Sequence, residues 1–132
     1  MKSQVLLTAD YASVDQATGK LNILGAFNRI FAKQFPAVHP RMALVAKLVA
    51  SDFAETTEPR PIEVTLTDAD GTELFQVTGM VQLPIDKKGF RQDANIIVEI
   101  NAIEFPRPGT YEFIVKCEHE VIGETTIELV PV

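Results

Sequence analysis

The chain has 132 residues, with 18 acidic against 12 basic side chains and a formal charge of −6. That length suits a single domain whose core needs no staples, while the negative charge argues against a general nucleic-acid binder, whose affinity comes from neutralising phosphates. Cys117 is the single cysteine, which excludes an intrachain disulfide, and the short apolar run before Asp10 makes neither a signal peptide nor a membrane span; the expected setting is the cytoplasm, without membrane or nucleic-acid partners.

Taken in order, Val5, Leu7, Ala9 and Tyr11 alternate with Leu6, Thr8 and Asp10 and predict a first strand, which stops at the polar turn Asp15 to Lys20. Leu21 to Phe31 is apolar on both faces and predicts a second strand at the centre of a sheet; Gly25 inside it marks a bulge or a close backbone approach. Phe35-Pro36-Ala37-Val38-His39-Pro40 predicts an extended crossing, because the residue before each proline is pushed away from the α region. Met42 to Ala50 fits both a helical stripe and a strand alternation, and its strand neighbours decide for a strand.

Ser51 to Pro61 predicts a polar loop. Ile62 to Thr67 then alternates, Asp68-Ala69-Asp70-Gly71 turns the chain, and Glu73 to Met80 returns, with Asp70-Gly71 as the hairpin signal. Leu83 to Phe90 is expected to be a mobile basic connection, and Ala94 to Ile103 a strand. Next comes a corner: Pro106 and Pro108 cannot continue a ladder, Gly109 can take a positive φ, and Gly109-Thr110-Tyr111 has the spacing of a tyrosine corner, in which the ring packs inward and the hydroxyl bonds back to the backbone. Glu118 to Glu120 is a tight turn, and Val121 to Val130 the last strand. The sum is an all-β chain, an antiparallel two-sheet sandwich (immunoglobulin-like or C2-like) of about eight strands, one domain over residues 1–132.

Few residues suggest chemistry. His39 and His119 are the only histidines, and the chain has no Gly-x-Ser-x-Gly elbow, so no nucleophilic triad can be assembled from sequence and no catalytic residue is assigned. Cys117 and His119 would share a strand face, but a structural zinc takes four ligands and the chain has no second pair. Asp68 and Asp70 are weak candidates for calcium, in a turn whose Asp-Gly chemistry already has a structural purpose. No glycine-rich phosphate loop opens a helix, and Lys87, Lys88 and Arg91 read as a solvated charged loop. The expectation is therefore no cofactor and no metal, with Gly25, Gly71, Gly109 and Tyr111 as structural positions.

At Ala9-Asp-Tyr-Ala-Ser-Val-Asp15, Gly19-Lys-Leu-Asn-Ile-Leu-Gly-Ala-Phe27 and Phe35-Pro-Ala-Val-His-Pro40 the chain resembles an uncharacterised bacterial family of small β domains, known only as a domain of unknown function. Asp10, Asn22, Phe27 and His39 match that pattern. The resemblance implies a small soluble β protein and brings no catalytic residue with it.

Residues 1 to 50 carry six basic and two acidic side chains, and residues 93 to 132 carry two basic and eight acidic. Such segments can offset each other within one fold or form complementary patches between copies. The functional expectation is a non-enzymatic interaction or assembly module, a homodimer of C2 symmetry whose stability falls with salt, with a further protein partner that the sequence does not identify. The competing expectation is a calcium- or zinc-dependent binder or a small enzyme using the Asp68/Asp70 loop or His39.

Overall fold

Apolar residues recur at the period of a strand along most of the sequence. In the computed structural model, which describes residues 1–50, 58–83 and 93–132, they form nine strands. These are β1 (Lys2–Val14), β2 (Leu21–Phe27), β3 (Arg29–Ala32), β4 (Ala37–Val49), β5 (Arg60–Thr67), β6 (Glu73–Val81), β7 (Asp93–Phe105), β8 (Gly109–Cys117) and β9 (Glu120–Pro131). They make two sheets, one in the order β2-β1-β4-β7 and the other β3-β9-β8-β5-β6. The chain is an all-β two-sheet sandwich, and no helix among the described residues is long and apolar enough to cross a membrane.

The core lies between the sheets. Met42, Leu44 and Ile100 from the first sheet meet Val64, Leu66, Phe113, Val115, Ile127 and Leu129 from the second. Each such buried side chain contributes roughly 1.5–3 kcal/mol of transfer free energy. One end is closed by Phe105 and Tyr111, whose rings meet edge to face with centroids 4.9 Å apart. The Tyr111 hydroxyl donates to the Arg107 carbonyl at 2.6 Å and accepts from the Arg107 N–H at 3.3 Å, which is the hydrogen bonding of a tyrosine corner. Gly109, at φ +138°, lets the chain turn from that corner into β8. At the far end of β8 the Glu118–His119 turn takes positive φ at both residues, 51° and 69°, as a two-residue hairpin requires.

Strand order gives the sandwich its class. β5, β8 and β9 lie in the sequence of the C, F and G strands of an immunoglobulin domain, and β1, β4 and β7 in that of A, B and E. The tyrosine corner falls where E passes to F. The sandwich is immunoglobulin-like, with β6 added outside β5.

The structure corrects several expectations. Leu21 to Phe31 is two strands: the chain leaves the first sheet at Asn28, and β3 joins the second sheet beside β9, in parallel. Hence the described residues hold nine strands where about eight are expected, and one pair is parallel. β2 is an edge strand and not a central one, since it pairs with β1 alone. The expected crossing at Phe35 to Pro40 is already strand from Ala37, and Arg60 and Pro61 of the expected loop belong to β5. The remaining part of that loop up to residue 57, and residues 84–92 of the basic connection with Lys87, Lys88 and Arg91, lie outside the described residues.

The second apolar face of β2 is explained by where its hairpin goes. β1 pairs with β4 from Lys2 to Ala9 and then separates from it. The Gly19 carbonyl, near the tip of the β1–β2 hairpin, accepts a 3.3 Å hydrogen bond from Asn95 Nδ2 on β7. Asn95 lies opposite Lys47, which in turn lies opposite Val5. A hairpin continuing straight from Ala9 would carry Gly19 far past the end of the sheet. It is instead folded back across the outer face, where Ala12, Leu21 and Ile23 pack with Ala9, Ala43, Val45 and Ile97. Val45 is thereby fully buried on the side of the sheet that faces away from the core.

Candidate functional site

Asp10 and Gly25 fall between the Ala9–Ala26 and Tyr11–Leu24 pairs of the β1–β2 register. Gly25 has φ +69°, and a Cβ there would lie 2.5 Å from Asp10 Oδ2. The β1–β2 register runs through without a shift, so Gly25 marks a close approach and not a bulge. Together with Phe27, Arg29, Ile30, Phe31 and His39 these residues line a depression of about 450 Å³ between β1, β2, β3 and β4. The His39 ring lies 5.7 Å from that of Phe27, tilted by 50°. Its Nε2 is out of solvent and has no hydrogen-bond partner among the described residues. Burial pushes the imidazole below its ordinary pKa, against a smaller upward pull from the Asp10 carboxylate and a hydrogen bond to the backbone of Arg41. The Arg29 guanidinium is engaged by Glu128, with Nε 3.4 Å from Oε2. Of the four residues named above as matching the family pattern, Asp10, Phe27 and His39 line this depression; Asn22 lies farther along β2, opposite Ser13. The participation of Arg29 and Phe31 is not readable from sequence, because it depends on the chain changing sheets at Asn28.

Asp68 and Asp70 lie in the β5–β6 turn. Asp68 Oδ1 accepts from the N–H groups of Asp70 and Thr72, both at 2.9 Å, and Gly71 closes the turn at φ +84°. Arg107, from the tyrosine corner, reaches both carboxylates, with Nη2 3.1 Å from Asp68 Oδ2 and 2.7 Å from Asp70 Oδ2. A guanidinium therefore stands between the two carboxylates, and the cluster ties the turn to the corner. Among the described residues no group of three or more His, Cys, Asp or Glu side chains is placed to hold a metal ion. Cys117 is buried in the strand, while His119 is in the turn beyond it.

On the opposite side of the sandwich, β6 pairs with β5 alone. Its outer edge borders a groove of about 410 Å³ lined by Ile62, Val64, Val77, Met80, Ile96 and Val98 among others. Met80 is 65% exposed. No residue from Leu74 to Val81 is charged.

No curated protein matches the chain. Among solved structures it is similar to the alkylpurine DNA glycosylase AlkC from Pseudomonas fluorescens, at 14% identity and a TM-score of 0.51 over 98% of this chain and 30% of that one. It is also similar to an immunoglobulin-like protein from Pseudomonas aeruginosa, at 9% identity and a TM-score of 0.44, covering 92% and 90% of the two chains. A glycosyl hydrolase family 2 member from Bacteroides cellulosilyticus gives 15% identity and a TM-score of 0.44 over 70% of this chain and 12% of that one. The chain spans less than a third of the glycosylase, and at such identity the likeness is one of fold alone. The model of a family of unknown function, DUF6941, matches residues 4–130, and the protein belongs to that family.

Proposed function

We propose that the protein is a non-enzymatic interaction module that self-associates by pairing the free edge of β6 with the same edge of a second copy. The observation that carries this reading is an edge strand without charge from Leu74 to Val81, with exposed Val77 and Met80 beside an apolar groove. Exposed edges invite pairing unless charge, proline, bulge or brevity blunts them. The other edges have such features: β7 carries Glu99 and Glu104 and a positive φ at Ala102, β3 is four residues long, and β2 is interrupted by the positive φ of Gly25. Antiparallel pairing of one edge with itself gives a C2 dimer, the commonest closed form.

A binding role also suits the Asp68/Asp70 turn, whose two carboxylates are engaged by Arg107. One buried cysteine suits a reducing compartment, and we place the module in the cytoplasm. The test is light scattering at micromolar concentration on wild type and Met80→Lys. A dimer that becomes a monomer in the variant, with an unchanged circular dichroism spectrum, supports the reading. A wild type of single-chain mass, or a variant that still dimerises, overturns it.

A further inference from the structure

We propose that two copies of the chain pair along β6 in one register, with the two-fold axis at Thr78: Thr78 lies opposite the partner's Thr78, and Gln76 opposite the partner's Met80. This register rests on the edge pairing of β6 proposed above, and it specifies which backbone groups bond and which side chains the second copy brings to the groove.

The neighbouring strand decides which groups of β6 are free. In an antiparallel ladder the N–H and C=O of one residue point to the same side, and that side alternates along the strand. The Pro61 carbonyl accepts from the Glu118 N–H at 3.2 Å, on the β8 side of β5. The N–H that proline lacks is thus also missing from the β8 side, and the β6 side is intact. Ile62, Val64 and Leu66 turn their groups toward β6, where they face Gly79, Val77 and Phe75. Those three residues of β6 are bonded inward. Gln76, Thr78 and Met80 turn their N–H and C=O groups to the open edge, since among the described residues β6 pairs with β5 alone.

Two antiparallel edges exchange hydrogen bonds only where both opposed residues face the shared seam. A second copy must therefore set Gln76, Thr78 and Met80 against one another. The β5–β6 ladder is regular from Phe75 to Val81, and Leu74 is the extra residue where its register shifts. Within the regular stretch, an axis at Thr78 engages all three residues of each copy, every opposed pair exchanging two bonds. An axis at Val77 sends Met80 to the partner's Leu74 at the irregularity, and one at Gly79 sends Gln76 to the partner's Gln82, beyond the end of β6.

The side chains fit the same register. Thr78 meets the partner's Thr78 on the outer face, a favourable cross-strand pair. On the face toward the core, the partner's Phe75 comes opposite Val81 and the partner's Val77 opposite Gly79. Val77, Gly79 and Val81 line the apolar groove, so the second copy adds apolar side chains along its margin. No charge lies between Leu74 and Val81, so like charges do not meet at the axis. An edge of this length, about 24 Å at about 3.4 Å per residue, buries on the order of 500 Å² per copy, the size of a reversible complex.

Two measurements on the full chain test the register. Raising the concentration of wild type from low micromolar to millimolar should slow amide hydrogen exchange at Gln76, Thr78 and Met80 by about tenfold or more, and leave Val77 and Gly79, already bonded to β5, unchanged. Under mild oxidation Thr78→Cys should link to itself, because Cα atoms of a hydrogen-bonded pair are about 5.5 Å apart, within disulfide reach. Gln76→Cys and Met80→Cys should not link to themselves, being offset by roughly 14 Å at about 3.4 Å per residue, but should link to each other when mixed. The native Cys117 is buried. A wild type of single-chain mass whose exchange ignores concentration overturns the edge pairing and the register with it. A dimer in which Thr78→Cys does not link, in which Gln76→Cys or Met80→Cys links to itself, or in which the Val77 and Gly79 amides respond instead, overturns the register alone.

Discussion

A methyl group on Gly25 would meet the Asp10 side chain at 2.5, 3.0 and 3.2 Å, at a backbone φ that side chains rarely adopt. Gly25→Ala is therefore expected to cost roughly 1–3 kcal/mol in urea denaturation. Part of that cost is collision with a side chain and part is backbone strain, so the same change in an Asp10→Ala background should cost less; an equal cost would show that strain alone is at work. Gly109 offers a contrast, since its φ is +138° but nothing lies within 4 Å of a Cβ, and Gly109→Val should lose only the backbone share. His39 gives the fold a pH dependence whose sign follows from burial. Its folded pKa is lowered, so the unfolded chain takes up the proton first. The stability it contributes is complete above the ordinary histidine value near 6.5 and is lost as the pH falls through that value toward the folded one. Between about pH 7.5 and 5.5 the melting temperature of wild type should drop more than that of His39→Gln; parallel curves would show that His39 titrates alike in both states.

At the scale of elements, the β1–β2 hairpin is a third layer over the first sheet, held by a small apolar contact and by the bond from Asn95 to Gly19. Its tip is closed by local bonds: Asp15 Oδ2 accepts from the Thr18 hydroxyl at 2.6 Å and from its N–H at 2.8 Å, and those bonds hold the carboxyl below the usual carboxylate range. Ile23→Asp would place a charge in the apolar contact at a cost on the order of 2 kcal/mol. The hairpin should then lift, with chemical shifts moving at Ala43, Val45 and Ile97 and not at Phe113 or Ile127; shifts spread evenly through the core would argue against a separable layer. What was legible in the sequence was local. The Gly109-Thr110-Tyr111 spacing, the Asp70-Gly71 turn and the period of β5, β8 and β9 each depend on residues a few positions apart. The fate of Leu21 to Phe31 was not legible, because apolarity on both faces looks alike in a central strand and in an edge strand folded onto its own sheet. Asn28, where the chain changes sheets, has no proline or glycine beside it, and the partners that separate the two cases lie far along the chain. The depression was half legible: Asp10, Phe27 and His39 were singled out by family pattern, whereas Arg29 and Phe31 arrive only through the sheet change.

For the whole molecule, the uneven distribution of charge along the chain is partly resolved by the fold. Arg29 pairs with Glu128, and Arg41 with Glu99 at 3.5 Å, joining the basic first fifty residues to the acidic last forty. These pairs are exposed and individually worth about 0–1 kcal/mol, but they leave less complementary charge for a partner copy. A dimer through the Leu74 to Val81 edge of β6, which carries no charge, should therefore keep its affinity between low and high salt, contrary to what the charge split alone suggests; a dissociation constant that rises steeply with salt would move the interface to a charged face. The position of β9 sets the order in which the molecule is made. It lies between β8, its neighbour in sequence, and β3, about a hundred residues earlier by the register of Arg29 with Glu128. A chain growing from its N-terminus can assemble the first sheet, yet β3 finds no ladder until the final strand has emerged. Until then Ile30 and Phe31 wait unpaired, so closure of the second sheet belongs to the slow regime of folding dominated by distant contacts, milliseconds to seconds in order of magnitude.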